Sequence, residues 1–344
     1  MLSTPVVVVG GSAGALDPLL DFARALPRGL PAAVLIVMHT PPDAVSRLPD
    51  LLSRAGPLPA HHAQDGEALR PGVVYVAPPD HHLLVGEAQL RLSRGARENR
   101  SRPSIDVLFR SAAYTHRERV VALLLSGLQD DGTSGAWAVK RVGGRVLVQH
   151  PEEAAQPEMP LSAARSVDVD EILPARQLAG ATVRLLERLP QGREGRMNDD
   201  EWRRLALEVG IAAEGNAFEM GLLSEGHPSV FTCPECHGVL VQLKEGGRLR
   251  FRCHTGHAFT ARSLLSDLRQ SVEASLWNAV RAMDETVMLL EHLARHAEEA
   301  ERPELALTYR AEVQDLRARG RRLRVEAEQA APPSPLPSEE PGVP

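Results

Sequence analysis

Short apolar runs alternate with longer helical patterns through the first 190 residues of the chain. A strand that is buried on both faces reads as a continuous apolar run, and such strands separated by helices are typical of a parallel sheet covered by helices. The predicted strands are Val6–Val9, Ala33–Met38, Val73–Ala77, Leu83–Val85, Leu90–Leu92, Val120–Leu125 and Arg145–Gln149. The sequence therefore predicts an α/β fold with a doubly wound, mostly parallel sheet.

The chain has 344 residues, about twice the length of an ordinary domain, so more than one folded part is expected. A polar, glycine-containing stretch after Pro190 ends the alternating pattern, and all three cysteines lie between Cys233 and Cys253. We predict a first domain over 1–190, a linker with an amphipathic helix over 191–230, a small zinc ribbon over 231–260, a helical hairpin or coiled coil over 261–330 and a proline-rich, disordered tail over 331–344.

Composition excludes several classes of protein. The 39 Lys and Arg against 45 Asp and Glu give a net charge of -6, so no basic surplus points to nucleic acid. The first residues lack a basic export signal, and no apolar run approaches the roughly 20 residues that cross a bilayer. An odd number of cysteines fits metal ligation in a reducing compartment better than a disulfide framework. We expect a cytoplasmic protein with no membrane insertion.

A serine lies where the first predicted strand turns into a helix, in the glycine-rich run from Gly10 to Gly14. Such a turn exposes the Ser12 hydroxyl beside the free N–H groups of the following helix, as a nucleophile requires. His39 follows the second strand and Asp131 follows the strand that ends near Leu125, so both are expected at the same edge of a parallel sheet. A serine needs a base and a group that orients the base, so these three residues form a candidate triad.

Two other interpretations of this turn are weaker. The order Ser, His, Asp differs from the Ser, Asp, His order of α/β hydrolases, which argues against a lipase or esterase of that fold. Dinucleotide binding would need Gly-x-Gly-x-x-Gly and an acidic residue after the second strand. The first pattern is absent and His39 stands at the second position.

Four ordered motifs together resemble the CheB-type protein-glutamate methylesterase domain, over about Val6 to Leu189. They are the Ser12 turn, Met38-His39, the stretch Arg102-Pro103-Ser104-Ile105-Asp106-Val107-Leu108-Phe109-Arg110-Ser111-Ala112-Ala113, and Ser126-Gly127-Leu128-Gln129-Asp130-Asp131-Gly132. The segment Ala155-Gln156-Pro157-Glu158-Met159-Pro160 also looks like the loop before the last helices of that family.

This resemblance implies a reaction and a set of roles. Ser12 would be the nucleophile, His39 the general base and later general acid, and Asp131, ahead of its neighbour Asp130, the group that holds the imidazole. The amides of Ala13 or Gly14 would contribute to the oxyanion hole. The implied substrates are glutamate γ-methyl esters on chemoreceptor cytoplasmic helices, with release of methanol, and glutamines that are deamidated by the same acyl chemistry.

Arg102 and Ser104 are expected to contact the substrate. With Arg100 and Arg110, Arg102 carries a charge that would attract an acidic receptor helix, although exposed arginines are most often simply solvated.

The sequence departs from the family pattern at several positions. Leu128 and Gln129 replace the usual Met-Gly before the aspartate, and Ala15 stands where a second glycine is common. A phosphorylatable receiver domain is not expected ahead of a first strand that starts at once. The departures leave open a second hypothesis, a scaffold or binding protein of a chemosensory pathway that has lost useful turnover.

The cysteines have the spacing of a zinc ribbon, Cys-Pro-Glu-Cys followed by Cys-His-Thr-Gly-His. We expect His254 or His237 as substitutes if His257 is not the fourth ligand. Four protein ligands leave no open position, so the Zn²⁺ would be structural. The predicted ligands are Cys233, Cys236, Cys253 and His257.

Beyond the cysteines, apolar residues recur at spacings of three and four from Leu265 to Leu293, and again from Leu305 to Leu323. Each set forms one stripe on a helix and needs a partner. The two stripes predict either a helical hairpin or an oligomeric coiled coil, and therefore allow a homo-oligomer through these helices.

Overall fold

The computed structural model describes residues 4–189, 195, 197–245 and 247–330. The strands are β1 (Val6–Gly11), β2 (Ala33–Met38), β3 (Ala60–His62), β4 (Val74–Val76), β5 (His82–Val85), β6 (Leu90–Ser93), β7 (Val120–Leu124), β8 (Arg145–Gln149), β9 (Glu171–Leu173), β10 (His227–Thr232), β11 (Val239–Glu245), β12 (Arg248–Cys253) and β13 (Ala258–Thr260). The helices are α1 (Leu16–Ala25), α2 (Leu48–Ala55), α3 (Ile105–His116), α4 (Thr133–Arg141), α5 (Glu158–Ser166), α6 (Ala175–Glu187), α7 (Asp199–Glu214), α8 (Leu222–Glu225), α9 (Ala261–Glu299) and α10 (Pro303–Gln329).

A seven-stranded sheet forms the centre of the first part, in the order β3-β4-β2-β1-β7-β8-β9. Every adjacent pair in it is parallel. β1 lies between β2 and β7, so the chain leaves the centre in both directions, as a doubly wound sheet requires. The predicted α/β fold with a parallel sheet is confirmed.

Helices cover both faces of this sheet. Val6 and Val8 of β1 belong to one apolar core and Val7 and Val9 to the other, because side chains alternate between the faces of a strand. The first core includes apolar residues of α3, α4 and α5, and the second includes those of α1, α2 and α6. Burial on both faces explains why β1 reads as an unbroken run of valines.

Two of the predicted strands lie outside the central sheet. β5 and β6 pair with each other as an antiparallel hairpin, and Ser111 of α3 bonds to the amide of Val85 in β5 (3.0 Å). This hairpin therefore packs along α3. β3 and β9, at the two edges of the central sheet, are three residues long, and the sequence interpretation missed both.

A second sheet follows in the cysteine-containing part of the chain. Its four strands are antiparallel in the order β10-β11-β12-β13. α7 precedes it and begins with a capping box between Asn198 and Glu201. The residues up to Ser263 form one compact unit that includes both sheets.

The residues from Leu264 form a second compact unit. In it, the chain of α9 turns back into α10, and Val287 and Leu290 pack with Val313 of α10. Ion pairs join Glu291 to Arg317 and Asp284 to Arg324, the latter at 2.8 Å. The predicted tail over 331–344 and part of the predicted linker lie outside the described residues. Within the described ranges, none of the helices combines the length and the apolar character that crossing a membrane requires.

Candidate active site

Three polar residues lie at the carboxyl edge of the central sheet. Ser12 directly follows β1, His39 directly follows β2, and Asp131 lies in the loop between β7 and α4. The amide of His39 donates to the carbonyl oxygen of Gly11 (3.1 Å), and the amide of Ser12 donates to that of Ser126 (2.9 Å). These bonds join the ends of three neighbouring strands, so the three predicted triad residues share one edge of the sheet.

Asp131 is buried at this edge and accepts several hydrogen bonds. One carboxylate oxygen accepts from His39 Nε2 (2.8 Å) and the amide of Ile105 (2.7 Å), and the other accepts from Ser104 Oγ (2.9 Å) and Asn99 Nδ2 (3.0 Å). Burial alone would raise the pKa of Asp131, but the bonds from His39, Asn99 and Ile105 outweigh it and hold that pKa well below its usual value. Asp131 is therefore an ionised, fixed partner for the imidazole.

The bond to Asp131 determines which nitrogen of His39 is left for other chemistry. Nε2 is used by the carboxylate, so Nδ1 is the ring nitrogen that can take a proton from Ser12. Within the described part of the chain, no hydrogen bond yet joins Ser12 Oγ to His39. Catalytic hydrogen bonds are often long without substrate and tighten in the complex.

The turn after Ser12 presents two backbone amides to solvent. Ala13 and Gly14 are exposed, and their N–H groups have no acceptor among the described residues. Ser126 Oγ donates to the carbonyl oxygen of Ala13 (2.8 Å) and fixes the turn. Gly14 has a φ of +75°, and a Cβ there would lie 2.6 Å from that of Ala155, so the turn needs glycine. Two free N–H groups beside a hydroxyl are suited to holding an oxyanion.

The loop before Asp131 contains the positions that depart from the resemblance. Gln129 has a φ of +62°, a conformation that glycine adopts without strain, and Leu128 is half exposed. At Gly127 a Cβ would lie 2.4 Å from Met159 Cε and 3.0 Å from Ser12 Cβ. Met159 and the Ser12 side chain thus both lie against Gly127, and the site leaves no room for a side chain at that position.

Sequence interpretation missed two buried residues that support Asp131. Asn99 donates from one Nδ2 to both Asp131 (3.0 Å) and Asp106 (2.9 Å). Asp106 also accepts the amides of Gly132 (3.0 Å) and Gly135 (2.7 Å). Burial, with the nearby charge of Asp131, raises the pKa of Asp106 to about 7. The only signal in the sequence was that both residues lie in or near the Arg-Pro-Ser-Ile-Asp motif.

The residues expected to contact the substrate or to attract a receptor helix differ in their exposure to solvent. The Arg102 guanidinium is held by Asp80 (2.6 Å) and by two backbone carbonyls, and it keeps part of its surface exposed. Its contact with substrate stays a prediction. Ser104 has no exposed surface. Arg110, expected at the surface, is buried in an ion pair with Glu98, so its charge cannot attract a receptor helix.

A second group of reactive side chains lies in the antiparallel sheet. The four ligand atoms lie within 4.8 Å of one another, and no disulfide joins the cysteines. The Sγ atoms of Cys236 and Cys253 are 3.6 Å apart, close to the roughly 3.8 Å that separates thiolates on one tetrahedral zinc ion. Cys253 Sγ also lies 3.5 Å from Nδ1 of His257. His254 packs against Gly238, and neither it nor His237 is in the group. The members are those predicted: Cys233, Cys236, Cys253 and His257.

Comparisons with known proteins agree with this geometry. The family model described as CheB methylesterase matches residues 7–182. A protein-glutamate methylesterase/protein-glutamine glutaminase of Methanosarcina mazei is 34% identical over 189 residues, which are 53% of this chain and 52% of that protein. A putative protein of the same name from Leptospira interrogans is 33% identical over 180 residues, 52% of this chain and 93% of that protein.

A solved structure is also similar. The CheB methylesterase catalytic domain of Thermotoga maritima has a TM-score of 0.52 and 32% identity, and the match covers 53% of this chain and 99% of that domain. The chain spans about half the length of the first curated relatives it matches. The matched residues include the candidate triad and end before the cysteine-containing sheet.

Proposed function

The chain belongs to the CheB methylesterase family, and on that basis we propose that it hydrolyses glutamate γ-methyl esters on chemoreceptor helices. The observation that carries the proposal is the 2.8 Å bond between His39 Nε2 and Asp131 at the sheet edge that also holds Ser12. The relatives' names add glutaminase activity, which is the same acyl transfer with ammonia as the leaving group. Both activities place the substrate in a chemosensory pathway.

The chemistry proceeds in two acyl-transfer steps. Ser12 Oγ attacks the ester carbonyl and passes its proton to Nδ1 of His39, and the amides of Ala13 and Gly14 hold the oxyanion. The tetrahedral intermediate breaks its bond to methoxide, which leaves as methanol with the proton from His39. Water then loses a proton to His39 and attacks the acyl-enzyme, which releases the glutamate and returns the proton to Ser12.

Asp131 contributes to these reaction steps through the imidazole of His39. Its carboxylate fixes the tautomer of His39 and stabilises the imidazolium that forms in each step. Because Ser104 is fully buried and donates to Asp131, we assign its hydroxyl a role in orienting that carboxylate, in place of the expected substrate contact.

We also propose that the Cys₃His group binds Zn²⁺. Three thiolates and an imidazole fill a tetrahedral site, so the metal would hold the fold of this segment and take no part in the ester chemistry. Thiols that ligate zinc, and a substrate on the cytoplasmic part of a receptor, would both support a cytoplasmic location, which is part of this proposal.

The test is release of methanol from methyl-labelled receptor membranes. We expect release by the purified protein and a loss on the order of 10³-fold or more in Ser12→Ala. Ser275→Ala is the matched control, because Ser275 is exposed on α9 and bonds only to its own helix. Equal release by Ser12→Ala and the parent protein would contradict the proposed nucleophile.

The same assay separates the esterase from a scaffold that has lost turnover. The strained Gln129 and half-exposed Leu128 are the residues that favour the scaffold. A correctly folded, zinc-loaded protein that binds receptor and releases no methanol would establish that second function.

A further inference from the structure

Asn99 connects the candidate active site to the metal-binding segment. Its side chain is 5% exposed, and both the oxygen and the nitrogen of the side-chain amide are hydrogen-bonded. Oδ1 accepts from the amide of Thr260 (3.1 Å) and from Ser263 Oγ (3.2 Å), while Nδ2 donates to Asp131 and Asp106. Because the oxygen is used by two donors, the nitrogen must face the carboxylates. The end of β13 therefore fixes the orientation of a donor to Asp131.

The backbone makes a second connection at the same place. The amide of Asn99 donates to the carbonyl oxygen of Ala258 (2.8 Å), and the amide of Ala258 donates to that of Arg97 (3.2 Å). Ala258 directly follows His257, one of the four candidate metal ligands. The residue that follows a candidate metal ligand is therefore hydrogen-bonded directly to the loop that carries Asn99.

The ligand Cys253 has a similar neighbour. Arg252, which precedes it, is buried and pairs with Glu98 (2.6 Å) beside Asn99. Arg252 also donates to the carbonyl oxygen of Gly256, inside the turn between Cys253 and His257. The turn from Cys253 to His257 is therefore bonded to the Glu98–Asn99 loop both through the residue before it, Arg252, and through the residue after it, Ala258.

We propose that the Cys₃His segment positions the catalytic carboxylate of Asp131 through Asn99, so that turnover depends on metal at that segment. The proposal rests on the esterase function proposed above. Asn99 is a positioning residue, since it acts through Asp131 and touches no reacting atom.

The physical reason is that a metal would crosslink two turns of the segment. The candidate ligands lie in the turns 233–236 and 253–257, and β13 begins directly after the second turn. Without metal, β13 is free to leave the 97–101 loop, and Asn99 loses the acceptor bonds that orient it. Asp131 then loses a donor that holds it ionised and fixed, and His39 loses its alignment.

The first experiment removes the metal from the full chain with a chelator and then restores it with Zn²⁺. We expect kcat for ester hydrolysis to fall about 10- to 100-fold with KM changed little, and to return with Zn²⁺. Hydrogen exchange is measured on the same samples. The amides of Asn99 and Ile105 donate to Ala258 and Asp131, so peptides covering them should exchange faster without metal, and peptides covering β1 should not.

The exchange measurement also separates this proposal from the esterase proposal. If the zinc-loaded protein has no esterase activity, the proposed function fails, and the exchange at Asn99 and Ile105 still decides the coupling. Unchanged kcat and unchanged exchange in the metal-free protein would overturn the coupling.

Variants in the zinc-loaded protein cover the case in which metal removal unfolds the whole first unit. Asn99→Asp keeps the shape and tolerates the φ of +48°, but it replaces the donor to Asp131 with an oxygen. We expect kcat to fall about 10- to 100-fold at constant KM and full zinc content. Asn198→Asp, at the exposed cap of α7, is the matched control.

Ser263→Ala tests the connection from the side of the metal segment. It removes one donor to Asn99 and leaves Asp131 and its other partners intact, so a few-fold decrease in kcat is expected, with Ser275→Ala unchanged. Parent-like kcat in both Asn99→Asp and Ser263→Ala would overturn the proposal.

Discussion

Asp106 and Asp131 are two buried carboxyl groups that share the donor Nδ2 of Asn99, yet their environments act on them in opposite directions. Asp131 has the imidazole of His39 and the amide of Ile105 as further partners, which favour its charge. Burial opposes the ionisation of Asp106, and the negative charge of Asp131 beside it opposes that ionisation further. Because the pKa values of the two carboxyl groups are shifted in opposite directions, the free energy of unfolding depends on pH.

We predict that Asp106→Asn flattens this dependence. The folded pKa of about 7 lies above the ordinary value of 3.8, so the folded state holds a proton that the unfolded chain releases. Stability from this group is full below about pH 4 and is lost as pH rises through about 7, at roughly 1.4 kcal/mol for each unit of pKa. Urea unfolding across this window should show a decline in the parent protein that Asp106→Asn lacks.

The exposed Asp43→Asn is the matched control for that experiment, because it removes a carboxyl group at the surface. Its stability should follow that of the parent protein at each pH. A decline as steep in Asp106→Asn as in the parent would show that Asp106 does not hold the proton.

At the level of elements, α7 and β12 are joined to α3 by a buried group of charges. Glu208 of α7 pairs with Arg252 (2.6 Å) and Arg250 (3.1 Å) of β12 and lies 3.4 Å from Arg110 of α3. Glu98 pairs with the same three arginines. The attraction of the arginines lowers the pKa of Glu208, against the effect of burial. Both carboxylates are needed, since buried arginines without partners are costly.

We predict that Glu208→Ala destabilises the first unit by about 3–5 kcal/mol, because it leaves three buried guanidinium groups with Glu98 and one longer contact from Arg250 to Glu245 (3.8 Å). The midpoint of urea unfolding measures the loss. Glu219→Ala, an exposed glutamate after α7, should leave the midpoint unchanged. Similar midpoints for the two variants would mean that the arginines find other acceptors, and the packing of β12 on α3 would then rest on apolar contacts.

These elements show what could be read from the sequence. The strands β1, β2, β7 and β8 are continuous apolar runs buried on both faces, so local pattern alone identifies them. Their shared edge then follows from parallel pairing. The edge strands β3 and β9 have three residues each and partly exposed side chains, which leaves no period to detect.

Other parts of the site depend on contacts between distant residues. Arg110 looks like a surface charge on α3, and only the approach of Glu98 and Glu208 explains its burial. Asn99 likewise belongs to a polar stretch whose role depends on Thr260, which lies 161 residues further along the chain. The sequence does not show which distant residues meet, so motif spacing identified the three candidate residues at the sheet edge and missed the residues that contact Asp131.

At the scale of the whole molecule, the family match and the compact units divide the chain at different places. The match ends at residue 182, whereas the first compact unit continues to Ser263 and includes the sheet that carries the Cys₃His group. The support that Thr260 and Ser263 give to Asn99 therefore comes from outside the matched region. In the second unit, the packing of α9 against α10 buries Val287 and Leu290 and leaves neighbouring apolar residues of α9 exposed.

We predict that these helices bind a second copy of the chain. Val287 and Leu290 are buried within the hairpin, but Met288 and Leu289 between them are 68% and 59% exposed. Burying apolar side chains of this size stabilises an interface by about 1.5–3 kcal/mol each. Sedimentation velocity should therefore show an oligomer that the double variant Met288→Glu, Leu289→Glu reduces to a monomer, since buried carboxylates without partners oppose association. The double variant Ser271→Glu, Ser275→Glu adds the same charge at exposed polar positions of α9 and should keep the oligomer. A parent protein that sediments as a monomer at all concentrations would refute the prediction.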